Sequence, residues 1–275
     1  MHDWRLPPAL APYVRSAVAY DVDLGAPGVH RGLPSTGLTF VLPVGEPLDV
    51  GWAGDPDTRA ARWSSVSGLH TRPADIHHDG HQTGIQLELT PSGARALLGL
   101  PAAAITGEIL ELGDLSPALA NLPERLADAD TGARAERMRV VERSLLAALA
   151  RHGAPEPRAE VGRALAGLTR GERVQEVADE VGYSRRHLTT VVRAECGLSP
   201  KDYQRVARFS ASRARLAAAA ATGASSIASV AAASGYADQA HLTREWQALA
   251  GCTPTTWLRT EFPFLQDLAD QWAAG

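Results

Sequence analysis

The feature that most constrains this chain is a degenerate repeat in its last third. Val177-Ala178 precede Gly182-Tyr183, and 53 residues later Val230-Ala231 precede Gly235-Tyr236. One inserted residue then sets the offset at 54, so that His187-Leu188-Thr189 matches His241-Leu242-Thr243 and Gly197 matches Gly251. Pro200 matches Pro254, Tyr203 matches Trp257 and Arg205 matches Arg259 at the same offset. So many residue types in one order require two copies of one small structural unit.

Each copy has the arrangement of a helix-turn-helix. A short helix, Val174–Val181 or Ile227–Ser234, buries Val177, Ala178 and Val181 in one copy and Ile227, Val230 and Ala231 in the other. Its central alanines let a second helix approach closely. Gly182 and Gly235 fall at the turn, where a positive φ ends the first helix without a Cβ clash. Ser184 and Asp238 can cap the next helix by accepting from its free N–H groups. That helix packs Leu188 and Val192, or Leu242 and Trp246, inward at i, i+4 spacing, and leaves its other face for a groove.

Between the copies, Ser199-Pro200 is a cap followed by proline at the first helical position. No breaker follows until about residue 221. Twenty-odd residues at roughly 1.5 Å each give about 30–33 Å. The spacing of successive major-groove faces on one side of B-DNA is about 34 Å. One long helix can therefore hold two reading helices one DNA turn apart. A helical bundle without a ligand is the competing reading, and charge weighs against it.

The net charge of −4 looks unfavourable to a nucleic-acid partner until it is divided along the chain. Residues 1–154 carry −5, residues 155–261 carry +3 and residues 262–275 carry −2. Within 184–215 stand Arg185, Arg186, Arg193, Lys201, Arg205, Arg208, Arg213 and Arg215 against Glu195 and Asp202, a local +6 over 32 residues. That is an electrostatic footprint for a polyanion.

The N-terminal region reads differently. Leu38, Phe40 and Leu42 alternate with Thr39, Val41 and Pro43. Leu48, Val50 and Trp52 alternate again after Gly45-Glu46-Pro47, and Ile85, Leu87 and Leu89 form a third half-buried strand pattern. Asp79-Gly80 is a two-residue hairpin signal. From Ser92 the pattern becomes helical in short pieces. A stronger helix is expected from about Ala133 to Arg151, with Met138, Val141, Leu145 and Leu149 on one stripe. That stripe suits packing on the β domain or a short coiled-coil dimer seam. His152-Gly153-Ala154-Pro155-Glu156-Pro157 stops it.

The expected class is α+β. An N-terminal β-rich domain with helices, for which a cupin-like barrel is one closure, occupies 1–152. After a linker at 153–158, an all-α domain of two helix-turn-helix units joined by a long helix occupies 159–262, and a tail follows at 263–275.

Residues 174–260 resemble the DNA-binding domain of the AraC/XylS family. The second unit carries most of the signature: Ile227-Ala228, Val230-Ala231, Gly235-Tyr236, Leu242, Arg244, Trp246, Gly251, Thr253-Pro254 and Trp257. Residues around 30–150 resemble the N-terminal domain of one actinobacterial-type branch of these regulators. The traces are Pro34-Ser35, Gly37, Val66-Ser67-Gly68 and Thr90-Pro91-Ser92-Gly93 through Gly99. The resemblance implies a transcription regulator, not an enzyme, bound to a promoter or operator in double-stranded DNA.

By helical position, the first reading helix exposes Arg185, Arg186, Thr189, Thr190 and Arg193, and the second exposes Gln239, His241, Thr243 and Arg244. The resemblance assigns base contacts to Arg186, Thr189 and Thr190. Arginine suits guanine O6/N7, glutamine suits adenine N6/N7, and threonine can meet a thymine methyl. Arg193, Lys201 and Arg205 read equally as phosphate positioners or core-edge salt bridges.

A small-molecule effector, RNA polymerase and a second copy of the chain are the further expected partners. An N-terminal domain that only makes protein contacts, or that acts on a metabolite, is the alternative. His70, His77, His78 and His81 invite a metal, but His78 and His81 read better as a cross-strand pair beside the Asp79-Gly80 turn. No metal or cofactor is expected. Trp52 and Trp63 read as core or as cavity lining. Cys196 and Cys252, the only cysteines, form no disulfide framework. They stand at loop positions in the helix-turn-helix region, unlike the reactive cysteines of family members that repair alkylated DNA. With no secretory signal at Met1–Leu10 and no span-length apolar run, a cytoplasmic location is expected and a membrane is not.

Overall fold

The computed structural model describes residues 6–129, 134–153, 159–222 and 226–260. The expected linker and C-terminal tail lie almost wholly outside the described residues.

Nine strands form two antiparallel sheets in the described N-terminal region. One has the order β1 (Val14–Asp23), β8 (His81–Leu89), β3 (Leu38–Pro43), β6 (Ser65–Ser67) and β9 (Ile109–Glu111). The other has β2 (Gly28–Gly32), β7 (Ala74–His78), β4 (Leu48–Trp52) and β5 (Ala60–Arg62). The alternation read from sequence decides the layers. Leu38, Phe40, Leu42, Ile85, Leu87 and Leu89 are buried on the helix-facing side of the first sheet. Val41, Ile109, Leu48, Val50, Trp52 and Ala74 fill the space between the sheets.

Asp79-Gly80 does not make the expected hairpin. β7 and β8 lie in different sheets, so the turn passes the chain from one sheet to the other. A type I′ hairpin needs positive φ at both central residues. Gly80 has φ 120°, and no non-glycine residue has positive φ among the described residues. His78 and His81 are consequently not cross-strand partners. His78 stands opposite Gly28, while His81 stands opposite Asp23 and its Nε2 lies 2.8 Å from the Asp21 carboxylate.

Short helices α1 (Pro91–Gly93), α2 (Leu112–Leu115) and α3 (Leu122–Asp128) lead to α4 (Arg134–His152). Met138, Val140, Val141, Leu145 and Ala148 of α4 are buried in the N-terminal core. The apolar stripe is thus used within the domain, as the packing reading had it. Trp52 is buried with its ring 4.8 Å from His70, whereas Trp63 is 49% exposed and lines no core.

The C-terminal region is helical: α5 (Ala159–Arg170), α6 (Val174–Glu180), α7 (Arg185–Cys196), α8 (Pro200–Thr222), α9 (Ile227–Ala233) and α10 (Gln239–Ala250). Gly182 and Gly235 take φ of 74° and 75° at the turns. Ser184 Oγ accepts from the His187 N–H and Asp238 Oδ1 from the His241 N–H, as caps should. Ser199 Oγ accepts from Asp202 N at 3.2 Å at the start of α8.

The 23 residues of α8 share two cores. Tyr203 and Val206 belong to one continuous core with the N-terminal domain and the first unit. Phe209 and Leu216 belong to a separate core of the second unit, together with Trp246 and Trp257. Leu33 enters this second core from the N-terminal domain.

Candidate nucleic-acid interface

The repeat places two equivalent helices, α7 and α10, on one rod. Each buries the side predicted for it, with Leu188, Val191 and Val192 inward in α7 and Leu242, Trp246 and Leu249 inward in α10. Their N-terminal turns face solvent. Arg185, Arg186, Thr190 and Arg193 are exposed on α7, as are Gln239 and Arg244 on α10, and Thr189, His241 and Thr243 are half-buried.

Partners divide these residues by what they have left to offer. Arg185, Arg186, Arg193 and Arg244 make no ion pair among the described residues. Thr189, Thr190 and Thr243 instead donate their hydroxyls to the Arg185, Arg186 and Gln239 carbonyls at 2.9, 3.1 and 2.9 Å. Their donor capacity is spent in the helix, leaving an acceptor lone pair and a methyl group. His241 is part of the turn: its ring meets Tyr236 edge-on at 5.2 Å and its Nδ1 accepts from Ala237 N at 3.4 Å. The equivalent His187 meets Tyr183 at 4.4 Å.

The positive footprint is smaller than its sequence count. Arg205 Nε donates to Glu245 at 2.8 Å and Arg208 Nη2 lies 3.4 Å from the same carboxylate. Arg205 is therefore a core-edge salt bridge that ties α8 to α10. The Glu88 carboxylate is the opposite charge acting on Arg213. Lys201 and Arg215 stay exposed with Arg185, Arg186 and Arg193.

Cys196 is not on a loop but is the last residue of α7. It is fully buried, its Sγ donates to the Val192 carbonyl, and burial pushes its thiol up to about 11. A protonated, enclosed thiol is a poor nucleophile. Thiol labelling of the native chain at pH 8 should modify Cys252 and spare Cys196; fast labelling of both would contradict this burial.

Sequence reasoning missed the contacts between the regions, for which no local pattern exists. Arg95 pairs with Glu195 of α7 at 3.0 Å. Thr106 donates to the Cys196 carbonyl and Arg31 to the Ala250 carbonyl.

A second candidate site is an open cleft of about 1120 Å³ at one end of the two-sheet domain. Tyr20, Leu48 and His78 are among its lining residues. Asp21, Glu46, Asp49 and Asp79 also line it, against Arg59 and Arg137. Beneath it, His30 lies 5.7 Å from His78 ring to ring, and burial brings His30 down to about 4. The His70, His77, His78 and His81 set does not converge: no cluster able to hold a metal ion exists among the described residues.

Residues 161–260 match the family model described as a helix-turn-helix domain. No curated protein sequence gives a match. Among solved structures, an apo lysine-to-alanine variant of ToxT from Vibrio cholerae is similar over 89% of this chain and 97% of its own, with 13% identity and a TM-score of 0.53. Unsaturated fatty acid bound wild-type ToxT from Vibrio cholerae is similar over 90% and 95%, with 12% identity and a TM-score of 0.50. These likenesses show a shared two-part fold, a β-rich N-terminal domain followed by a helical region. No helix among the described residues is long and apolar enough to cross a membrane.

Proposed function

We propose that the chain, whose residues 161–260 are an AraC-type helix-turn-helix domain, is a sequence-specific regulator of transcription that binds promoter DNA with α7 and α10. The observation that carries this reading is the pair of repeat-equivalent helices whose solvent-facing turns hold unpaired cations on a single 23-residue rod. Arg186 and Arg244 are the guanine readers and Gln239 the adenine reader, while Arg185 and Arg193 meet phosphates. The threonines supply methyl contacts.

Selection of bound duplexes from a random pool should return a bipartite site. Arg186→Ala and Gln239→Ala should each flatten preference at one base position by about 1–3 kcal/mol, while nonspecific binding persists. A footprint unchanged by both substitutions would remove the base-reading assignments.

The N-terminal domain is the sensing part in this reading, and its site is the cleft at the end of the sheets. ToxT has been solved with unsaturated fatty acid bound. The cleft here favours a different class, because four carboxylates outnumber two guanidinium groups in its lining. A neutral or cationic polar molecule fits it better than an acid, since the excess of carboxylates repels a like charge. Thermal-shift screening of polar cations against organic acids tests this: stabilisation by acids alone would refute the assignment. No shift with any small molecule, together with a stable protein partner, would favour a domain that only makes protein contacts.

A further inference from the structure

The two reading helices are held at their far ends by the N-terminal domain, through the same backbone atom in each unit. Cys196 and Ala250 are the last residues of α7 and α10 and stand 54 apart, at equivalent points of the repeat. Carbonyls in the last turn of a helix have no intrahelical partner. Thr106 Oγ1 donates to the Cys196 carbonyl at 2.9 Å, and Arg31 Nη1 donates to the Ala250 carbonyl at 3.2 Å. The arginine also puts positive charge at the negative end of the α10 dipole.

The residue after each carbonyl fits this arrangement. Gly197 and Gly251 have φ of 75° and 68°. A Cβ on Gly197 would lie 2.1 Å from Thr106 Oγ1, and one on Gly251 would lie 2.3 Å from Arg31 Nη1. Each glycine therefore serves a helix end and a close approach of the other domain.

The grips are unequal. The first unit also shares the N-terminal core and has the Arg95–Glu195 pair. The second unit has its own core, which the N-terminal domain enters by Leu33. Resting on the DNA-binding reading above, we infer that Arg31 and Thr106 are positioning residues that fix where the two reading helices stand relative to each other, and so set the half-site spacing the chain accepts. Neither residue needs to touch DNA, and Arg31 carries the larger share.

The test uses the full chain and the selected bipartite site with spacers changed by one or two base pairs. One base pair moves a half-site by about 3.4 Å and about 34°. Wild type should lose roughly 10-fold in affinity for each such change, Arg31→Met should reduce the penalty to about 3-fold, and Thr106→Val should act less strongly. Arg31→Met that melts like wild type yet keeps the full penalty overturns the inference, because α8 alone then sets the spacing.

A measurement without DNA keeps the two readings separable. Spin labels at Glu180→Cys and Ala232→Cys, in a Cys252→Ser background, should give a narrow distance distribution that Arg31→Met broadens. An unchanged distribution overturns the positioning role even if DNA binding holds. Failure of the wild type to select any duplex sinks the DNA reading instead.

Discussion

Trp246→Ala should destabilise the second helix-turn-helix unit by about 3–5 kcal/mol, the usual cost of emptying a buried aromatic site. The indole is fully buried between Phe209 and Trp257, at ring distances of 4.9 and 5.2 Å. Its Nε1 donates to Ser212 Oγ at 2.9 Å, and that hydroxyl in turn donates to the Phe209 carbonyl at 2.7 Å. Alanine removes the ring, both aromatic contacts and one partner of a fully buried hydroxyl. The indole's core has eleven buried residues, Trp246 included, and is separate from the larger one, so the apolar hold on α9 and α10 rests on this small cluster. Thermal melting followed by helix signal should therefore change from one transition to two, with the earlier one belonging to the second unit. The equivalent position in the first unit is Val192, whose core is continuous with the N-terminal domain. Val192→Ala should shift the main transition modestly without splitting it. A single transition for Trp246→Ala at the wild-type temperature would contradict the separate core.

The legibility of the fold follows the range of the forces involved. Gly182, Gly235, Ser184, Asp238 and Ser199 act on backbone within four residues, so turn and cap chemistry were readable as written. The spacing of Leu188 and Val192, or Leu242 and Trp246, is a property of one helix and was equally plain. The Asp79-Gly80 turn was not, because whether two strands pair depends on which sheet each enters. Trp63 illustrates the same limit, since its exposure depends on where β5 ends in the sheet. Among the candidate readers, Arg186 and Gln239 stand where helical position put them. His241 is exposed in helical projection, and in the fold its ring also meets Tyr236 and accepts from the Ala237 N–H, contacts that projection does not show. Arg205 could not be assigned from charge alone, since Glu245 lies 40 residues away in sequence. The grips of Thr106 and Arg31 use single side chains on backbone carbonyls, and that leaves no pattern in a sequence.

Acidification from pH 7.5 to 4.5 should remove about 5 kcal/mol of stability through two histidines. His70 is buried and His30 half-buried with its ring enclosed, and desolvation brings each from its ordinary 6.5 to about 4. The His70 Nδ1 lies 2.6 Å from the Arg72 carbonyl, a contact that opposes the shift without reversing it. Well above pH 6.5 both rings are neutral in folded and unfolded chains alike, and they contribute little pH dependence. Below it the unfolded chain takes up protons that the folded chain refuses, so stability falls by up to about 1.4 kcal/mol per pH unit for each ring. The loss ends near pH 4, where the folded rings protonate as well. His78, also held down by burial, acts in the same direction, whereas Asp49, lowered by its Arg59 partner, acts only in more acid solution. Denaturant unfolding at several pH values should show this slope, and His30→Gln or His70→Asn should each remove its own share while leaving stability at pH 7.5 far less changed. A curve that stays flat from pH 7 to 5 would mean that these rings protonate freely in the folded chain. Because the first unit shares its core with the N-terminal domain, acid should loosen α7 together with the sheets. The second unit, joined there through Leu33 and Arg31, should keep its helix signal to lower pH.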